Sequence, residues 1–218
     1  MSYISTIYNT KDKPYTNYPP RLVNYLYKRL GMHSYNILLD VGCGRGEYLE
    51  LFENKGLHTT GIDCEKVIDN CKIIEVNVEN EKIPCDNNYF DYIFSKSLIE
   101  HLYNPDNFMK ECYRVLKPGG KLLVMTPYWE KQMKVFYEYY NYVHTYTRNG
   151  IRDLLKIYEF KDIKSEIFYQ YPACWNIPLL KYIKLKLSIP FARLLTKITK
   201  IKYFRWINET MILGVGEK

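Results

Sequence analysis

Short apolar runs of strand length alternate with helically spaced stretches along most of the chain. Leu22, Val23, Leu26 and Leu30 recur at helical spacing; Pro20 suits the first turn of that helix and Gly31 its end. Asn36-Ile37-Leu38-Leu39-Asp40-Val41 is a compact apolar run of the kind that forms a strand buried on both faces. Glycines follow at 42, 44 and 46, and then the periodic segment Glu47–Glu53. The order is strand, glycine turn, helix. Thr59–Asp63 reads as a second strand ending in an acid, and Ile73–Val76 as a short third one. Tyr89–Ser95 and Lys121–Thr126 are the next two, with Pro127 closing the second. Between them Asn104-Pro105-Asp106 starts a helix whose core positions are Phe108, Met109, Cys112 and Leu116. Thr147 is placed to cap a further helix; Phe160–Tyr169 and Glu209–Gly216 read as the last two strands.

The glycine turn is the first candidate for chemistry. Alternating glycines permit positive φ and let a ligand approach the backbone. The helix start behind them offers unpaired N–H groups and a positive dipole end. A nucleotide-like ligand with a carboxylate or phosphate suits this build. The dinucleotide fingerprint needs G-x-G-x-x-G, whereas here the spacing is G-x-G-x-G, with Asp40 two residues before the first glycine.

Asp40-Val41-Gly42-Cys43-Gly44-Arg45-Gly46 resembles the first motif of class I S-adenosylmethionine-dependent methyltransferases (the type 11-like group). Four more segments resemble that family in the same order. They are the acid-tipped strand ending at Asp63, Ile83–Phe94, Leu98-Ile99-Glu100-His101-Leu102 and Arg114–Leu122. The resemblance implies an α/β fold, a doubly wound Rossmann-like sheet of seven strands in the order 3-2-1-4-5-7-6. Strand seven would be antiparallel. It also implies one domain over 1–218. An N-terminal arm and helix would occupy 1–35 and the cofactor-binding core 36–170. A basic helical insert over 171–208 and the last strand, 209–218, would complete it.

The cofactor implied is S-adenosyl-L-methionine, held by Asp40, Gly42, Cys43, Gly44, Gly46, Asp63, Asn77, Val78 and Ser95. Asp63 would accept the ribose hydroxyls. Asn77 stands where the family usually has an acid at the adenine edge; its amide oxygen can accept from the adenine amino group. Ser95, Lys96 and Ser97 lie where the reactive methyl is expected, and Tyr128 and Trp129 would wall the acceptor pocket. In related enzymes an arm like residues 1–20 often folds over the cofactor; a surface arm packed by its tyrosines is the other reading.

Methyl transfer from a sulfonium needs alignment above all, which can supply about 7–11 kcal/mol. A hydroxyl acceptor would also gain from a general base, typically about 10²- to 10⁴-fold. His101 and His144 are the catalytic candidates. Each also has a bland reading, as a histidine that only packs near the site. The stretch from His144 to Leu155 resembles an element common in relatives acting on sugars and lipid-linked metabolites. O-methylation of a small-molecule, sugar or lipid-linked glycan acceptor is therefore expected. The alternatives are an RNA or other nucleic-acid methyltransferase and a non-catalytic binding protein. Ser95-Lys96-Ser97-Leu98 replaces the N-P-P-Y/F-type motif of base amino-group methylation, which argues against nucleic acid.

Composition changes this picture in two ways. With 218 residues, 25% charged and 47% hydrophobic, the chain can bury one sizeable core. Its six cysteines are scattered without a C-x-x-C pair, so no metal site is expected. Met1–Pro20 lacks the apolar core of a signal peptide, and no apolar run reaches spanning length; the expected location is cytoplasmic. The net charge of +7 is concentrated in one place. Lys181, Lys184, Lys186, Arg193, Lys197, Lys200, Lys202 and Arg205 share a stretch with no acid. Without those eight of the 31 Lys and Arg, the remaining bases and the 24 acids nearly balance. Apolar residues are interleaved over 178–206 at three- and four-residue spacing. That fits an element lying in an anionic membrane interface, at the inner face, or a helical cap whose bases are solvated.

Overall fold

The computed structural model describes residues 15–66, 72–133, 140–176, 198 and 210–218. Helix α1 (Tyr18–Leu30) carries Pro19 and Pro20 in its first turn, and Gly31 closes it at φ 64°. The Gly31 and Met32 amides donate to the Lys28 and Tyr27 carbonyls, a Schellman-type end. Strand β1 (Ile37–Val41) lies between β2 (His58–Asp63) and β4 (Phe90–Lys96), parallel to both. A strand flanked in this way is covered on both faces, which is why its sequence is a continuous apolar run. Helix α2 (Glu47–Glu53) crosses from β1 to β2; β3 (Ile73–Glu75) is the edge beyond β2.

Helix α3 (Asp106–Val115) leads into β5 (Leu116–Pro127). The short α4 (Trp129–Gln132), α5 (Arg148–Ile157), β6 (Lys161–Tyr169), α6 (Ala173–Asn176) and β7 (Thr210–Glu217) follow. The seven strands stand in the order β3-β2-β1-β4-β5-β7-β6, with β7 antiparallel to both neighbours. This is the expected Rossmann-like α/β sheet.

Each face of the sheet has its own core. Leu39, Val41 and Ile93 pack with Phe108 and Cys112 of α3 and with Ile151 and Leu155 of α5. On the other face Leu38, Phe94 and Leu123 pack with Leu22 and Leu26 of α1 and Phe52 of α2.

Two expected boundaries move. The family-like segment Leu98–Leu102, a helix in that family's pattern, is here only a single tight turn, Ile99–His101, with Leu102 already extended at ψ 126°. Pro105 follows closely, has no amide to donate and disfavours helical backbone before it. Strand β5 starts five residues early. Leu116, counted as a helical core position, pairs with Phe90, and the Lys117–Gly120 turn is accommodated as a bulge before Lys121 pairs with Tyr92. Leu116 stays fully buried.

The N-terminal arm to Pro14, Phe136, Tyr137 and Tyr139, and the basic insert from Ile177 with its eight Lys and Arg lie outside the described residues. Among the described residues no helix is long and apolar enough to cross a membrane.

Candidate functional site

The strands β1, β2, β4 and β5 end together at one edge of the sheet. After β1 the chain turns through Gly42, Gly44 and Gly46, at φ 76°, 54° and 70°. Those values are open to glycine and strained for other residues. The Gly42 and Cys43 amides donate to the Ile62 carbonyl at 2.8 and 3.2 Å. The Gly44 amide donates to Asp63 Oδ2 at 2.8 Å. The loop is thereby stitched to the tip of β2. Gly61 makes room for it: a Cβ there would meet Leu49 Cδ1 at 2.6 Å and Cys43 Sγ at 2.8 Å. Cys43 is buried in that packing.

Asp40 is 2% exposed, and its Oδ2 has no hydrogen-bond partner. Burial, and then the neighbouring Asp63 charge, push its carboxyl up to about 8; Lys96 acts the other way. Asp63 is also raised by burial, and the Gly44 amide partly offsets this. Lys96 is the shared cation here, lowering Asp40, Glu47 and Glu100 alike. Ser95, on the β4 residue paired with Val41, is buried with an unpartnered Oγ. Ser97 follows with φ 58°, its amide bound to the Met125 carbonyl.

Among the described residues, the buried side-chain oxygens without a partner include Asp40 Oδ2, Ser95 Oγ, Glu100 Oε1, Asn141 Oδ1 and Thr210 Oγ1. Each of these sits at this carboxyl edge or in the segments against it. Buried polar atoms are ordinarily satisfied, so a cluster of exceptions marks where a polar ligand fits. A glycine loop that lets a ligand approach its backbone, an acid at the tip of β2 and the buried Asp40 match the cationic, ribose-bearing S-adenosylmethionine.

The structure brings together Asp40, Gly42, Cys43, Gly44, Gly46, Asp63 and Ser95. Asn77 and Val78 lie in the next turn, just beyond β3. Asn77 Oδ1 accepts from the Glu79 amide at 3.1 Å, so one of its lone pairs holds its own turn. The Val78 carbonyl accepts from Asn107 Nδ2 at 3.1 Å, pinning that turn to α3. At the end of the N-terminal arm, the Arg45 guanidinium lies over the Tyr15 ring at 4.7 Å, so the arm reaches the glycine loop.

The two histidines lie at the turn after β4 and in the segment 141–144 packed against it. His101 Nδ1 donates to the Asn141 carbonyl at 3.0 Å, and the His101 ring meets Tyr142 edge-on. His144 Nε2 donates to the Tyr103 carbonyl at 3.0 Å. These tautomers follow from the carbonyl partners, which can only accept. For His144 this leaves Nδ1 as an acceptor. Tyr128 is buried in the core, and Trp129 is tied by its amide to the Tyr146 carbonyl. Of the two expected wall residues, only Trp129 is partly exposed.

Sequence reasoning missed Glu100 as a site group. It is wholly buried, and burial pushes its carboxyl up to about 7. Its Oε2 accepts from Thr126 Oγ1 at 2.9 Å, and its carbonyl accepts the Val143 and His144 amides. Burial, and then the Glu100 charge, raise the Tyr146 phenol to about 12. Glu100 is visible in the sequence beside His101, yet only the tight turn at Ile99–His101 aims it inward.

The strand order and the matches below make the fold similar to that of the Rossmann-like, class I S-adenosylmethionine-dependent methyltransferases. Residues 39–124 match the family of methyltransferase domains. Over 125 residues the chain is 30% identical to a ubiquinone biosynthesis O-methyltransferase of Pseudomonas fluorescens, covering 52% of this chain and 53% of that one. The chain spans about half the length of the curated relatives it matches. An S-adenosylmethionine-dependent methyltransferase structure from Archaeoglobus fulgidus is 18% identical and superposes with a TM-score of 0.67, covering 100% of both chains. A Burkholderia thailandensis 1,6-didemethyltoxoflavin-N1-methyltransferase with bound S-adenosylhomocysteine is 13% identical, with a TM-score of 0.62. It covers 98% of this chain and 84% of that one.

Proposed function

We propose that the chain is an S-adenosylmethionine-dependent O-methyltransferase acting on a small-molecule, sugar or lipid-linked glycan acceptor. The observation that carries this reading is the Gly44–Asp63 tie beside the buried Asp40, whose Oδ2 has no partner. Asp63 would accept from the ribose hydroxyls, and Asp40 would meet the cationic amino-acid end. Relatives named O-methyltransferases favour oxygen as the acceptor atom.

When bound, the cofactor supplies an activated sulfonium methyl. Asp40 and Asp63 would hold the cofactor, whose methyl would be the group transferred to the acceptor oxygen. The residues of this chain hold the partners in line and receive the acceptor proton. His144 Nδ1 is the acceptor for that proton, because its Nε2–H is committed to Tyr103. Glu100 positions His144 by holding its amide, and Asn141 holds His101 alongside. The chain works in the cytoplasm, with the basic segment 178–206 meeting the inner face of an anionic membrane. The test is methyl transfer from labelled S-adenosylmethionine to a panel of soluble and lipid-linked acceptors. Transfer to oxygen of one acceptor class supports the reading; cofactor binding without transfer to any of them, or transfer only to RNA, overturns it.

A further inference from the structure

A second cavity, of about 410 Å³, lies between the outer face of α1 and α6 and shares no residue with the methyl-transfer site. Its lining is Arg21, Asn24, Tyr25, Lys28, Arg29, Pro172 and Trp175. Three of those side chains are cationic and none is a carboxylate. Arg21 and Lys28 stand seven residues apart on one helix, hence on one face two turns apart. Tyr25 lies between them.

The floor is rigid. The Tyr25 and Trp175 ring centroids are 5.1 Å apart, and Trp175 Nε1 donates to the Tyr169 carbonyl at 2.6 Å. Arg29 is held in place by Glu166 and by Tyr25 OH at 2.8 Å. Glu166 balances Arg29. Among the described residues no acid balances Arg21 or Lys28, so two positive charges are left over.

We propose that this cavity binds a phosphoryl group. Two uncompensated cations match a phosphate dianion, and a guanidinium and an ammonium together offer several donors to its three oxygens. The Asn24 side-chain oxygen already accepts from Lys55 Nζ at 3.1 Å, which leaves its amide hydrogens as further donors. The volume suits one small group, not a polymer face. The aromatic floor offers an apolar surface to whatever carries the phosphate. A free phosphorylated metabolite and a phospholipid headgroup share this chemistry.

Calorimetry with inorganic pyrophosphate at fixed ionic strength tests the soluble source. Co-sedimentation with phosphatidylglycerol vesicles tests the lipid source. Both arms use the full chain, the R21Q/K28Q double variant and a K110Q/K156Q control that removes two exposed lysines elsewhere. Circular dichroism verifies that each variant is folded. Pyrophosphate binding that falls at least tenfold in R21Q/K28Q and is unchanged in the control supports a soluble ligand. Vesicle binding alone, lost in the same variant, supports a headgroup. No binding in either arm, or equal losses in both variants, overturns the proposal.

Discussion

The Gly44 amide donates to Asp63 Oδ2 at 2.8 Å, so the loop that leaves β1 and the tip of β2 behave as one unit. Asp63 shapes the loop, and in the proposed reading it would also present acceptors to a ribose. Asp63→Ala should weaken S-adenosylmethionine binding by more than tenfold, because both a charged acceptor and the loop's anchor are lost. Calorimetry measures this directly. Unchanged affinity would remove Asp63 from the cofactor site.

Asp40 carries a pH dependence of known sign. Its folded carboxyl is raised from 3.8 to about 8, so the folded protein holds that proton more tightly than the unfolded chain does. Its contribution to stability is full below pH 3.8 and is lost as pH rises toward about 8. Asp40→Asn should accordingly raise the melting temperature above pH 8, with the difference shrinking toward acid. A cationic cofactor favours the ionised form, so its affinity should rise with pH up to about 8 and flatten in Asp40→Asn. A flat profile in the unsubstituted protein would refute the linkage.

His144→Ala should lower turnover by about 10²- to 10⁴-fold while cofactor affinity stays near its starting value. The readouts are initial rates and calorimetry on the same preparation. Collapse of cofactor binding would show that His144 serves the cofactor site or the fold.

Glu100 gives a prediction about the acceptor side. Glu100→Ala leaves Thr126 Oγ1 without its partner, and an unsatisfied buried group costs about 1–3 kcal/mol. Glu100→Gln keeps the acceptor and removes a charge that burial disfavours, so it should fold at least as stably above pH 7. Denaturant unfolding of the two variants distinguishes the cases. Equal destabilisation by both would mean that the charge itself is required.

The basic segment is tested with liposomes. Binding should need anionic lipid, fall with salt, and vanish when Lys197, Lys200 and Lys202 are changed to Glu; each base near such a surface contributes about 1 kcal/mol. Equal recovery in the supernatant with and without anionic vesicles at low salt would leave the solvated-cap reading.

The sequence by itself determined the order of strands and helices, the glycine loop and the acid at the tip of β2. Local patterns suffice for these, because a strand covered on both faces must be apolar along its length and a positive-φ turn selects glycine. The strand order came through five motifs that resemble one family, and the pairing of β7 between β5 and β6 agrees with it.

Tertiary structure decided what each polar side chain does. His101 and His144 stood out in the sequence as titratable groups, yet each gives one ring nitrogen to a backbone carbonyl about forty residues away in the chain. Glu100 drew no notice beside them, yet the turn at Ile99–His101 buries it against Thr126, and burial brings its carboxyl up to about 7. The cavity beside α1 shows the same thing: Arg21 and Lys28 are ordinary helix-surface bases until Trp175, on α6 after β6, closes one side. Periodicity reports which face of an element is apolar. Hydrogen-bond partners, desolvation and concavity depend on which elements meet, and only the folded chain brings those distant segments together.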